Sequence, residues 1–254
     1  MEIKNTADYP KVPNLVLMVY GMGGVGKTTF AASFPKPLLL DFENGAKYFG
    51  ERGIKVDVAI FKNWPSTDEK KEIASALEGY ETIIVDPIGE AMEKLINDTN
   101  TISGAKYRQN GGDLTMAGWG EVKKQMRNFI KFLRDSGKNV VLVAHVAEKE
   151  DGEVIVKRPQ IATKLSDEII TMVDVVAYMS VVERDGEAVR VLKVDGTDSK
   201  VISKDRTGKL GKILKPEYSY IAAQLSGKKD APADNEGKGE SAPKKPATKK
   251  VAKR

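Results

Sequence analysis

Residues 14–30, NLVLMVYGMGGVGKTTF, leave the chain few ways to fold. The run ending at Tyr20 is apolar without alternation, which reads as a strand buried on both faces. It is followed at once by Gly21-Met-Gly-Gly-Val-Gly-Lys27-Thr28, which fits the spacing G-x-x-x-x-G-K-[ST] between a buried strand and a helix. Each residue type has a physical reason. Gly21, Gly23, Gly24 and Gly26 let the backbone curl until its N–H groups, including that of Val25, converge on one point. The start of the helix adds partial positive charge there. Lys27 reaches terminal phosphates, Thr28 offers a hydroxyl to Mg²⁺, and Thr29 completes the cradle. The alternative is a chance glycine-rich turn, and the order strand, motif, helix argues against it.

Four further apolar runs follow, at residues 37–42, 56–61, 82–86 and 139–145, and are read in the same way as buried strands. Segments 67–77 and 119–135 between them read as helices. Such alternation predicts a mainly parallel sheet covered on both faces. In 119–135, Val122, Met126, Phe129, Ile130 and Leu133 form an apolar stripe. Lys123, Arg127, Lys131 and Arg134 line another side, read as a solvated face in preference to a DNA-facing one. After His145 the pattern changes. Asp151-Gly152 and Asp185-Gly186 are hairpin signals, the second between strands at 174–183 and 187–194, and 216–225 is a short helix candidate.

Composition narrows the function classes. The chain has no cysteine and one histidine, which excludes disulfides and thiolate metal sites, leaves little scope for zinc, and fits a reducing cytoplasm. No apolar run approaches the roughly 20 residues that span a bilayer, so no membrane partner is expected, and the polar N-terminus lacks the apolar core of a signal peptide. The stretch 228–254 holds nine Lys/Arg against four Asp/Glu, which accounts for the whole formal charge of +5 and leaves the body neutral. The expected organisation is an arm at 1–13, a folded domain at 14–225, and a disordered basic tail at 226–254. The tail either captures DNA through counterion release or solubilises the chain.

A second acid of the phosphate site is expected at Asp86, where TIIVD ends a buried strand in the manner of a Walker B motif. It would hold Mg²⁺ directly or through water. GMGGVGKTTFAASFPKPLLLDFENGAKYF, ETIIVDPI, GWGEVKKQMRNFIKFLRDSGKNVVLVAHVAEKE, KLSDEIITMVDVVAYM and SKDRTGKL then fall in order. Together they resemble the phage nucleotide-binding family of short RecA/RadA-like ATPases, which includes Sak-type single-strand annealing proteins. The resemblance covers about residues 12–225. It implies an α/β fold: a RecA-like P-loop NTPase core, a mainly parallel sheet flanked by helices, with a C-terminal β-hairpin and the disordered tail.

The resemblance also implies roles. Glu43, ending LLLDFE, takes the place of the acid that orients the attacking water, with Asp41 structural. His145 stands at the end of a strand that carries a γ-phosphate sensor, often Gln in relatives; a strand-end His bonded to a neighbouring carbonyl is the other reading. Lys204 and Arg206 resemble a basic pair inserted into a neighbouring subunit's ATP site, or are simply a basic turn. Two loops are candidates for single-stranded DNA: 99–118 with Lys106, Tyr107 and Arg108, an aromatic between two cations suited to stacking and phosphate contact, and 146–160 with Lys149, Lys157 and Arg158. Either loop is otherwise ordinary surface. The implied cofactors are ATP and Mg²⁺. The implied partners are single-stranded DNA, further copies of the chain in a ring or filament, and a single-strand binding protein. Two other classes stay open: a P-loop kinase for a small metabolite, and an ATP-gated assembly protein with little turnover.

Overall fold

Buried strands alternate with amphipathic helices through most of the chain. The structure, a computed structural model, describes residues 5, 7, 10, 12–98, 101–110, 112–162 and 165–228. The elements run β1 (Val16–Gly21), α1 (Lys27–Ala31), β2 (Pro37–Asp41), β3 (Asp57–Ile60), α2 (Thr67–Ala76), β4 (Thr82–Asp86), α3 (Ile88–Asn97) and α4 (Met116–Asp135). They continue with β5 (Asn139–Asp151), β6 (Val154–Pro159), α5 (Leu165–Met172), β7 (Val175–Arg184), β8 (Glu187–Lys193), β9 (Lys204–Asp205), β10 (Ile213–Leu214) and α6 (Tyr218–Leu225).

The sheet order is β10-β8-β7-β1-β5-β4-β2-β3, with β6 on β5 and β9 on β7. From β7 to β3 every neighbour is parallel; β8, β10, β6 and β9 add antiparallel pairs. The expected mainly parallel sheet is therefore present. Period-two geometry explains its unbroken apolar strands. Val16, Met18 and Tyr20 of β1 feed one core with α2, α3, α4 and α5, while Leu17 and Val19 feed the other with α1 and α6. The α4 stripe is buried as its spacing predicts, and Thr115 caps the helix by accepting from the Gly118 N–H.

One reading needs correction. Residues 56–61 were expected to be a buried strand, yet β3 is the outermost strand, with Val58 37% and Ile60 57% exposed. A run of apolar residues does not reveal whether a sheet neighbour exists on both sides. In the sheet β5 separates β1 from β4, the strands that carry the two phosphate motifs. The hairpin signals hold. Asp185 and Gly186 both have positive φ, 54° and 82°, as the tight turn joining β7 to β8 requires. The helix α5 and the short strands β9 and β10 were not anticipated. Nearly all of the anticipated basic tail, 229–254, lies outside the described residues, as does much of the arm.

Candidate functional site

The strands β1, β2, β4 and β5 run the same way, so their carboxyl ends share one edge of the sheet. In register, Gly21 lies opposite His145, and Asp41 opposite Asp86. That edge is where ligands bind in open parallel sheets. A cavity of about 180 Å³ opens there, lined by Gly24, Lys27, Thr28, Glu43, Asp86 and His145 among others.

The glycine turn is held by its surroundings. A Cβ on Gly21 would lie 2.4 Å from the Met179 carbonyl oxygen, so this glycine lets β1 pass close to β7. Gly26 has φ +106°, in the left-handed region, and its carbonyl accepts from the Phe30 N–H at 2.9 Å. Lys27 is buried, and its Nζ donates to the carbonyls of Gly21 (3.0 Å) and Met22 (2.9 Å). Burial lowers its pKa, and the nearby carboxylates of Asp86 and Glu43 oppose that.

The Thr28 hydroxyl donates to Asp86 Oδ2 at 2.5 Å. Burial pushes the Asp86 carboxyl up to about 6, against the opposing hydrogen bond from Thr28. A hydroxyl and a carboxylate are hard oxygen donors, and no cluster of three or more His, Cys, Asp or Glu side chains able to hold a metal occurs among the described residues. That donor set suits Mg²⁺, which takes one or two protein ligands and fills its remaining positions with phosphate oxygens and water.

Asp41 is buried and accepts from the backbone N–H groups of Glu43 (3.0 Å), Gly45 (3.3 Å) and Ala46 (2.9 Å). It therefore ties down the turn that carries Glu43. The Glu43 side chain is half-exposed at the cavity, with Oε2 3.9 Å from His145 Nε2. One acid is thus a buried turn-former and the next faces solvent in the site.

The AAA domain family matches residues 13–207 of the chain. The chain belongs to that family. A relative, the SPbeta prophage-derived uncharacterized protein YorG of Bacillus subtilis (strain 168), is 26% identical over 171 residues, 65% of this chain and 50% of the relative. The chain thus spans about half the length of the relative it matches. A solved structure, a KaiC-like protein from Pyrococcus horikoshii OT3, overlaps 73% of this chain and 79% of its own, at 14% identity and TM-score 0.41.

The other anticipated residues of this AAA domain lie away from the cavity. Lys204 and Arg206 sit beside the start of β7, where Lys204 pairs with Val176, whereas Gly21 is level with Met179 further along. Lys204 Nζ donates to the carbonyls of Ile170, Thr171 and Val173 at 2.9, 3.3 and 2.7 Å. Arg206 donates to Thr171 O at 2.8 Å and lies 3.6 Å from Asp174. Both cations close the carboxyl end of α5, whose last carbonyls have no partners within the helix.

Arg108, expected to meet DNA, makes hydrogen bonds within the chain. Its guanidinium is turned into its own loop, donating to Ile102 O and Gly112 O at 2.9 Å each and to Ile96 O. Tyr107 packs on the core beside α4, and Lys106 lies over its ring at 5.1 Å. Arg108→Ala leaves three carbonyls without that donor. The expected loss is about 2–3 kcal/mol of stability, a fall in melting temperature of several degrees. A variant as stable as wild type in urea unfolding would contradict this role.

β5 runs past the sheet and pairs with β6 as a two-stranded ribbon. Lys149 is exposed on it, with Glu148, Glu150, Asp151 and Glu153 close by in sequence. Lys157 Nζ lies 5.6 Å from the Tyr178 ring, and Arg158 pairs with Asp167 at 2.6 Å. Arg127 of α4 likewise pairs with Glu168 at 2.6 Å, in keeping with a solvated face. Two arginines were missed. Arg52 lines the cavity, and Arg190 of β8 donates to the Val25 carbonyl. Neither lies in a recognisable motif, and only the folding of distant segments onto the glycine turn brings them there. No helix among the described residues is long and apolar enough to cross a membrane.

Proposed function

We propose that this P-loop protein is a Mg²⁺-dependent ATPase that acts on single-stranded DNA in phage-type recombination or annealing. The observation that carries the ATPase reading is the convergence of Lys27, Thr28, Asp86, Glu43 and His145, from α1, β4, β5 and the turn after β2, on one cavity. In this reading Lys27 exchanges its carbonyl partners for terminal phosphate oxygens. Thr28 and Asp86 would hold Mg²⁺, which would offset the negative charge of the phosphates. Glu43 accepts a hydrogen bond from the attacking water and aligns it, and His145 Nε2 faces the same space.

The DNA half of the proposal rests on the family resemblance and on the prophage origin of the relative. The fold offers a route for coupling. β5 carries His145 and continues without a break into the ribbon, so a shift at the cavity moves the ribbon base. Lys106 and Lys149 are the exposed cations proposed to meet the phosphates. Assembly into a ring or filament belongs to the same proposal, and service of Lys204 and Arg206 in a neighbouring site would require them to leave α5.

The test is binding of a fluorescent oligothymidine at low salt with ATP, with ADP and without nucleotide, for wild type and the double variant Lys106→Ala/Lys149→Ala. ATP-dependent binding, weakened about tenfold or more in the variant, is the expected result for two lost phosphate contacts at low salt. Absence of binding in every nucleotide state would overturn the DNA reading and leave the ATPase reading standing.

A further inference from the structure

Arg190 lies far from the glycine turn in sequence, yet its Nε–H donates to the Val25 carbonyl at 2.9 Å. Its Cδ and Nε also pack on Gly26, 3.4 Å from where a Cβ would stand. The Val25 carbonyl and the Gly26 N–H belong to one peptide unit. The described cis peptide is Asp86–Pro87, so this unit is trans, and its C=O and N–H point in opposite directions. Fixing the carbonyl on Arg190 therefore aims the Gly26 N–H the other way, and Gly26 lines the phosphate cavity.

The unit needs fixing. Gly26 at φ +106° has no Cβ to resist rotation, so the peptide before it flips at little steric cost. A flip would replace an N–H with a carbonyl oxygen at the cavity wall, setting a negative end of the dipole against the phosphates.

We infer that Arg190 is a positioning residue for nucleotide binding: the β7–β8 hairpin reaches over the glycine turn and locks the Val25–Gly26 peptide in its phosphate-binding orientation. This rests on the nucleotide reading of the cavity. It makes the hairpin part of the binding apparatus, although no residue of it touches the reacting atoms. The Gly26 N–H serves ground state and transition state alike, so its loss raises KM and leaves kcat nearly unchanged.

The test compares wild type, Arg190→Ala and Arg190→Lys in the full chain with Mg²⁺. The readouts are ATP turnover, competition by inorganic tripolyphosphate, and the ligand-induced shift of the Gly26 amide resonance. Arg190→Ala is expected to raise KM for ATP about tenfold, the effect of one lost hydrogen bond from a charged group. It should weaken tripolyphosphate by the same factor, because the lock acts on the phosphate cradle alone. The Gly26 amide shift should shrink, and Arg190→Lys, which retains a donor, should restore part of each effect. Unchanged KM and tripolyphosphate competition in Arg190→Ala would overturn the assignment, as would a fall in kcat at constant KM. Wild type that binds neither ATP nor tripolyphosphate would overturn the nucleotide reading itself, a distinct outcome.

Discussion

Glu43→Gln should lower ATP turnover by about 10²–10⁴-fold while leaving nucleotide binding within a few-fold of wild type. The substitution keeps the length and one acceptor oxygen of the side chain but removes its charge and its capacity to take a proton. Glu43 acts on Lys27 and Asp86 through its charge, and its turn is held by Asp41 through backbone N–H groups that the substitution does not touch. Phosphate release under saturating ATP and titration with a fluorescent nucleotide check the two halves separately. Turnover within tenfold of wild type would remove Glu43 from the role of water-orienting group.

Asp86→Asn should make the metal-free protein more stable near neutral pH and abolish its response to Mg²⁺-ATP. The folded Asp86 carboxyl stands at about 6 against an ordinary 3.8, with burial as the main cause. A raised carboxyl pKa means that the folded state holds the proton more tightly than the unfolded chain. Stability from this group is therefore highest at low pH, falls as pH rises through about 4 to 6, and is lowest above 6. The full cost of keeping the charge buried is about 3 kcal/mol. Asparagine keeps an oxygen to accept the Thr28 hydroxyl but carries no charge. Urea unfolding in EDTA should show Asp86→Asn ahead of wild type by about 1–3 kcal/mol at pH 7.5, the gap closing toward pH 4. Added Mg²⁺-ATP should then stabilise wild type only. A variant less stable than wild type at pH 7.5 would mean that the ionised carboxylate supports the metal-free fold.

Both residues could be picked out before the fold was known: Asp86 because it ends a buried strand, and Glu43 through the family resemblance, since β2 itself ends at Asp41. Sequence reading reaches such positions where the constraint is local. The glycine turn, the all-apolar strand before it and the TIIVD ending each carry their physics within a few residues. The two-residue turn at Asp185-Gly186 does so too, since positive φ at both positions is a matter of local sterics. The α4 stripe is legible because helix periodicity maps directly onto burial.

Where the outcome depends on a distant segment, the sequence is silent or misleading. Val58 and Ile60 look like core residues, yet β3 stands at the edge of the described sheet and leaves them exposed. Arg108 looks like a cation offered to solvent, but its loop folds around it and supplies three carbonyls. Lys204 and Arg206 stand in a suggestive motif, and the end of α5 engages them. α5 itself is only eight residues long, too short for its period to separate helix from strand. Arg190 had no signal at all, since its contact with Val25 exists only once β8 has paired with β7 and β7 with β1.

The same dependence on tertiary placement gives the site its chemistry. Asp41 and Glu43 are two residues apart, yet one is buried among backbone donors and the other stands half-exposed beside His145. Environment ties the first into the turn and leaves the second facing the cavity.

The most direct test of the whole reading is the steady-state rate of Mg²⁺-dependent ATP hydrolysis, measured as single-stranded DNA is added. Turnover that depends on Mg²⁺ and rises with DNA to a plateau is the predicted result, since it ties the cavity and the ribbon into one cycle. A rate that stays flat across saturating DNA, or that persists in EDTA, would contradict it.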